Sequence, residues 1–138
     1  MKNKKVFLYT DGGSRGNPGP AGIGVVILDE KKKKIKDMYR YIGETTNNAA
    51  EYNALICGLE EALMLNADEV VVYMDSELAT KQMSGEYRVK STDIKPLFEK
   101  AAGMLKKFKS FEIKYIERSK NKEADKLANK AMNLASLF

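Results

Sequence analysis

The chain has 138 residues, 43% hydrophobic and 31% charged, with a formal net charge of +5, the size and balance of one domain with a real core. With no histidine and a single cysteine, Cys57, it has no means of building a zinc site, an internal disulfide or a Ser–His triad on Ser14 or Ser76. The basic excess suits a polyanionic partner, with a solvated lysine surface as the plain alternative.

Residues 6–10 (VFLYT) form a β-branched and aromatic run closed by Asp11-Gly12-Gly13, which predicts a first strand ending in a tight turn. Residues 14–24 read as a loop, with Asn17-Pro18-Gly19-Pro20 opposing regular pairing at its centre. Residues 22–28 and 35–42 predict a second and third strand around a lysine-rich hairpin tip at 31–34, read as solubilising, so the first three strands form an antiparallel meander. Residues 45–48 supply N-cap chemistry for a helix over 49–66, in which Cys57 is a buried thiol. Residues 70–74 (VVVYM) have the apolar run of a strand buried on both faces, and the helical crossover places it parallel to a neighbour, most simply the first strand. There follow a short helix at 76–83, a loop at 84–89, a helix at 93–107 with Pro96 in its first turn, a fifth strand at 111–116 and a last helix at 122–135. The apolar tail, residues 134–138, is expected to pack on its own sheet, with another chain as the alternative. The outcome is an α/β fold, a mixed five-stranded sheet flanked by helices, without repeat, linker or second domain. No apolar run is long enough to span a bilayer, and residues 1–5 lead into a strand without a signal-type segment, so a cytoplasmic location is expected.

Four acids stand out in this layout. Asp11 and Asp75 are placed at the carboxyl ends of the first and fourth strands, which, as parallel neighbours, would hold them side by side where α/β proteins put ligands. Glu51 is expected in the first turn of the long helix and Asp125 near the start of the last. Singly, Asp11 has a plain reading as a turn residue, and Asp75 and Glu51 as helix-start residues. Together they would repel, and one would take up a proton, unless cations neutralise them. The set therefore implies a hard divalent ion, Mg²⁺ or Mn²⁺, held through oxygen.

The segments TDGGSRGNPGPAG at 10–22, TTNNAAEYNALICGLE at 45–60, VYMDSELA at 72–79 and NKEADKLAN at 121–129 resemble, in this order, the motifs of the type 1 ribonucleases H. The resemblance runs over about residues 5–131. It implies a ribonuclease H-like fold with strand order 3-2-1-4-5, and one catalytic domain over 1–138. It also implies an endonuclease that cuts the RNA strand of RNA·DNA hybrids with two Mg²⁺ or Mn²⁺ ions, leaving 5′-phosphate and 3′-hydroxyl ends. Its partner would be the hybrid, with double-stranded RNA in a broader relative; no membrane is implied, and the chain is expected to be a monomer. On the same resemblance Asp11 bridges both ions, Asp125 serves the nucleophile side, and Glu51 and Asp75 complete the shells. Gly13, Ser14, Gly16 and Asn17 would approach the minor groove of the hybrid, and Glu51 would also accept from a ribose 2′-hydroxyl. Asn47 and Asn48 match base and backbone contacts, and Glu77 a polar contact. Ser91 and Thr92, with Thr46 and Asn48, match a phosphate pocket for the DNA strand, although Ser91-Thr92 also reads as a helix cap ahead of Pro96. A catalytically idle binding module is the competing reading; a pure binder gains nothing from four repelling acids beside a phosphate backbone.

The chain departs from the family pattern twice. Residues 116–121 hold no histidine before the last aspartate, leaving Arg118 and Lys120 as the local positive charges, neither of them a proton shuttle at neutral pH. Residues 84–90 replace the basic, tryptophan-bearing handle of several bacterial members, as in a compact subgroup, so hybrid affinity should be modest and salt-dependent.

Overall fold

The computed structural model describes residues 4–137. In chain order it contains β1 (Lys5–Ser14), β2 (Gly19–Leu28), β3 (Lys34–Thr45), α1 (Asn47–Met64), β4 (Glu69–Met74), α2 (Glu77–Met83), α3 (Lys95–Leu105), β5 (Ser110–Tyr115) and α4 (Lys122–Asn133). Short 3₁₀ turns at Arg118–Lys120 and Leu134–Leu137 flank α4. The five strands form one mixed sheet of order β3-β2-β1-β4-β5. β1, β2 and β3 pair antiparallel, and β4 lies parallel to both β1 and β5. This is the fold class expected from the sequence.

The two sheet faces take different helices. Gly58 of α1 lies against Leu8, Thr10 and Val25, whereas Gly24 of β2 lies against the backbone of α4. Val25 and Gly24 are consecutive in one strand, so α1 and α4 cover opposite faces. On the α1 side the core joins Val6, Leu8, Ile23, Val25 and Ile27 to Tyr52, Leu55 and Leu59, with Val70 and Val72 from β4. On the α4 side the contact is made of small residues. Ala124, Ala128 and Ala131 are buried, and a Cβ on Gly24 would overlap the Ala124 carbonyl, so helix and strand backbones touch almost directly.

Several boundaries differ from expectation, each for a non-local reason. β1 does not turn at Asp11: it runs on to Ser14, because Asp11, Gly12, Gly13 and Ser14 pair with Gly24, Ile23, Gly22 and Ala21 of β2. The expected loop shrinks accordingly, and β2 begins at Gly19 despite Pro20, whose carbonyl accepts from Arg15 N–H at 2.8 Å. α1 begins at Asn47, capped by Thr46, whose side chain accepts from Ala49 N–H at 3.2 Å. Its first turn therefore contains no acid, and Glu51 lies beyond it. α4 stops at Asn133, and the tail tightens into a 3₁₀ turn beside β3, with Leu134 half-buried and Leu137 72% exposed. Phe138, the end of the expected apolar tail, lies outside the described residues. Among the described residues no helix is long and apolar enough to cross a membrane. Cys57 is buried, and burial pushes its thiol pKa up, so it is an inert core thiol.

Candidate active site

The last β1–β4 pair is Thr10 with Met74. Asp11 and Asp75 are the next residue in each chain segment, so parallel pairing delivers both carboxylates to one place. Glu51 arrives from α1, where its Oε1 accepts from Gly12 N–H at 2.7 Å. A Cβ on Gly12 would overlap the Ala50 carbonyl, so the approach of α1 requires glycine there. One carboxylate oxygen from each of Asp11, Glu51 and Asp75 lies within 4.8 Å of the others.

Asp11 and Glu51 are both buried, and burial is the main force raising their pKa values. The like charges of Glu51 and Asp75 raise Asp11 further. For Glu51 the hydrogen bonds with Asp11 and Gly12 oppose the shift, while Asp75 adds to it. Glu51 Oε2 is buried without a protein partner. Crowded, desolvated carboxylates with an oxygen-only donor set and an unpartnered acceptor fit a hard divalent cation, which would relieve the repulsion that otherwise forces protonation.

Asp125 lies in the first turn of α4 and lines the same cleft, of about 430 Å³, but stands outside the trio of ligand oxygens. Its Oδ1 accepts from Arg118 Nη2 at 3.1 Å, and Asn129 Nδ2 donates to its backbone carbonyl at 2.9 Å. The four predicted acids thus share one cleft, with three in close array and Asp125 tethered at the wall.

Of the expected contact residues, Gly13, Ser14 and Asn47 line this cleft. They are braced together, since Asn47 Oδ1 accepts from Ser14 N–H at 3.2 Å and Asn17 Oδ1 accepts from Asn47 N–H at 3.0 Å. Gly16 sits in the β1–β2 turn at φ +101. Thr46 serves as the α1 cap, and Asn48 Oδ1 is buried and unpartnered beside it. Glu77 pairs with Lys81 at 2.9 Å on the α2 surface, and Ser91 Oγ accepts from Asp93 and Ile94 N–H at 3.2 and 3.3 Å, turning the chain into α3. Gly16, Asn17, Thr46, Asn48, Glu77, Ser91 and Thr92 are not among the cleft-lining residues.

Other cleft residues were missed from sequence: Arg15, Ser76, Asn129 and Met132. Ser76 caps α2, accepting from Ala79 N–H at 3.1 Å, which explains its place beside Asp75 without any nucleophilic role. Asn129 stands four residues after Asp125, and Asn121 four residues before it. That spacing puts side chains on one helix face and was the available signal.

The sheet order and the acids that follow the last β1–β4 pair define a ribonuclease H-like protein. A family model described as reverse transcriptase-like matches residues 9–131. The chain is 43% identical over 133 residues to a bifunctional protein of Mycobacterium tuberculosis, covering 96% of this chain and 36% of that protein. The solved N-terminal RNase H domain of a Mycobacterium tuberculosis protein superposes with a TM-score of 0.94 at 42% identity, covering 98% of each chain. A ribonuclease HI of Halobacterium salinarum is 37% identical over 129 residues, covering 94% of this chain and 65% of that protein. LC11-RNase H1, solved in complex with an RNA/DNA hybrid, matches with a TM-score of 0.88 at 48% identity over 94% of this chain and 98% of its own. The chain belongs to the type 1 ribonuclease H family, and it spans about a third of the mycobacterial relative's length.

Proposed function

We propose that this chain is a divalent-metal-dependent endonuclease that hydrolyses the RNA strand of RNA·DNA hybrids, leaving 5′-phosphate and 3′-hydroxyl ends. The observation that carries this reading is the trio of buried Asp11 and Glu51 with half-buried Asp75, whose ligand oxygens lie within 4.8 Å of one another on the wall of an open cleft. The hybrid-bound relative at 48% identity supports the choice of substrate.

On this reading Asp11, Glu51, Asp75 and Asp125 hold Mg²⁺ or Mn²⁺, two ions per site. Bound there, such ions supply Lewis-acid stabilisation of phosphate charge and acidify water. The chain's own groups bind and orient the hybrid. Ser14 and Glu51 line the cleft, and Ser14 Oγ and Glu51 Oε2 have no protein partner, which supports their use as hydrogen-bonding groups toward the nucleic acid, with Asn48 an outer contact. Glu51 Oε2 is an acceptor suited to a ribose 2′-hydroxyl, the group that separates RNA from DNA. Gly13, Gly16, Asn17 and Asn47 present the adjoining wall. Thr46, Glu77, Ser91 and Thr92 form the outer contacts of the same reading. Residues 1–138 act as one catalytic domain, as a monomer in the cytoplasm.

The test is an assay of labelled RNA·DNA, RNA·RNA and DNA·DNA duplexes with Mg²⁺, Mn²⁺ or EDTA. Cleavage of the RNA strand of the hybrid, dependent on metal, is expected. Intact hybrid with both metals, or equal cutting of DNA·DNA, overturns the reading. Cutting of RNA·RNA extends the substrate range to double-stranded RNA.

A further inference from the structure

Asn121 is the residue immediately before α4, and it is 1% exposed. Its side-chain Nδ2 donates to the Thr10 carbonyl at 3.0 Å and to Asp75 Oδ2 at 3.0 Å. The Thr10 carbonyl has no proton to give, so the nitrogen must face it and the orientation of the amide is determined. The Asn121 backbone carbonyl accepts from Asp125 N–H at 3.0 Å, and its N–H donates to the Arg118 carbonyl at 3.0 Å. One buried residue therefore ties together the β1 backbone just before Asp11, the carboxylate of Asp75, and the helix start that carries Asp125.

We infer that Asn121 is a positioning residue that sets the direction of the Asp75 carboxylate and its spacing from Asp11. This rests on the reading that the acid trio holds a divalent cation. Asp75 beside Asp11 and Glu51 is subject to like-charge repulsion that favours rotation of its carboxylate away from the cleft floor. The Asn121 amide opposes that rotation, because turning away breaks a hydrogen bond from a nitrogen that is itself buried. An amide also does this without a charge. A lysine or arginine at the same point would hold Asp75 equally well but would repel the cation the site is built for, whereas neutral Asn121 holds the ligand and leaves its charge available. Nδ2 meets both of its acceptors from the same atom, so the position of Asp75 is referred to the β1 backbone rather than to a flexible side chain.

The experiment compares wild type, Asn121→Ala, Asn121→Ser and the neighbouring control Lys122→Ala. Substrate-free Mg²⁺ binding is read by calorimetry and by the Mg²⁺ concentration giving half of the thermal shift, and hybrid cleavage is read separately as kcat and KM. Expected for Asn121→Ala is an apparent Mg²⁺ affinity lower by about 10- to 100-fold. Its kcat falls and partly recovers at high Mg²⁺, while KM for the hybrid stays within about twofold of wild type, the split expected for lost alignment rather than lost substrate binding. Asn121→Ser, which keeps one short donor, falls between the two, and Lys122→Ala matches wild type. If Asn121→Ala fails to fold, Asn121→Ser carries the test alone. A variant that is merely less stable, with its Mg²⁺ midpoint unchanged, overturns the inference and leaves the functional reading standing. A wild type with no Mg²⁺ response overturns both.

Discussion

Gly12 N–H donates to Glu51 Oε1 at 2.7 Å, joining α1 to β1 at the floor of the acid cleft. It depends on the missing side chain, since a Cβ on Gly12 would overlap the Ala50 carbonyl and crowd the Glu51 amide. Gly12→Ala is expected to push α1 outward, cost about 3 kcal/mol of stability and abolish stabilisation by Mg²⁺. Urea unfolding with and without Mg²⁺ checks both; a midpoint equal to wild type in either series contradicts the packing argument.

Asp11→Asn separates charge from shape. Without a cation Asp11 already sits on its protonated side at neutral pH, because burial and its acidic neighbours raise its pKa. Stability in EDTA should therefore change by no more than about 1 kcal/mol. Hybrid cleavage should fall below about 1% of wild type, the order of loss for a principal electrostatic group. Retained cleavage would place the reaction elsewhere.

The same shifts make the stability of the cation-free protein pH-dependent. Asp11 and Glu51 are raised from 3.8 and 4.5 by burial, so the folded state keeps protons that the unfolded state has lost. With ν_N above ν_U, stability from these groups is fully present below pH 3.8 and falls as pH rises through neutrality. Their contribution is expected as a downward slope from weakly acidic to neutral pH in EDTA that flattens in saturating Mg²⁺, because cations take over the role of the protons. Melting curves in matched buffers decide it; an identical slope with and without Mg²⁺ refutes the assignment.

Hybrid affinity should respond steeply to salt. The excess of 24 basic over 19 acidic residues is spread along the chain, without a handle between α2 and α3. Binding by cleavage-deficient Asp11→Asn should weaken about 10²-fold between about 50 and 200 mM salt, the loss for roughly four neutralised phosphates. Fluorescence anisotropy on a labelled hybrid measures this, and a flat response would show that phosphate contacts do not dominate.

Much of the fold was legible because its signals are local. The run VVVYM, the cap at Thr46 and Pro96 in the first turn of α3 each act within a few residues of themselves, and the elements they predict are present. The errors came where a distant partner decides. Asp11-Gly12-Gly13 has turn chemistry in isolation, yet β2 pairs with it and keeps it extended. Helix dipole arguments put Glu51 at a helix start, whereas the Gly12 amide from another element is what holds it. Ser91 Oγ accepts from the Asp93 and Ile94 amides ahead of α3, a local role compatible with the phosphate contact proposed for it.

By itself the sequence determined which residues carry charge, which stretches alternate or repeat at helical period, and, through its motifs, which four acids to look for in one cleft. Those properties belong to side-chain chemistry and short-range backbone preference. Only the tertiary structure decided that Asp11, Glu51 and Asp75 close into a trio while Asp125 pairs with Arg118, and that Asn121 links the β1 backbone to Asp75. Each of these is a contact between segments separated along the chain or set by side-chain direction. Its geometry follows from parallel pairing of β1 with β4 and from the close approach of helices to glycine, neither of which leaves a periodic trace in the residues that make it.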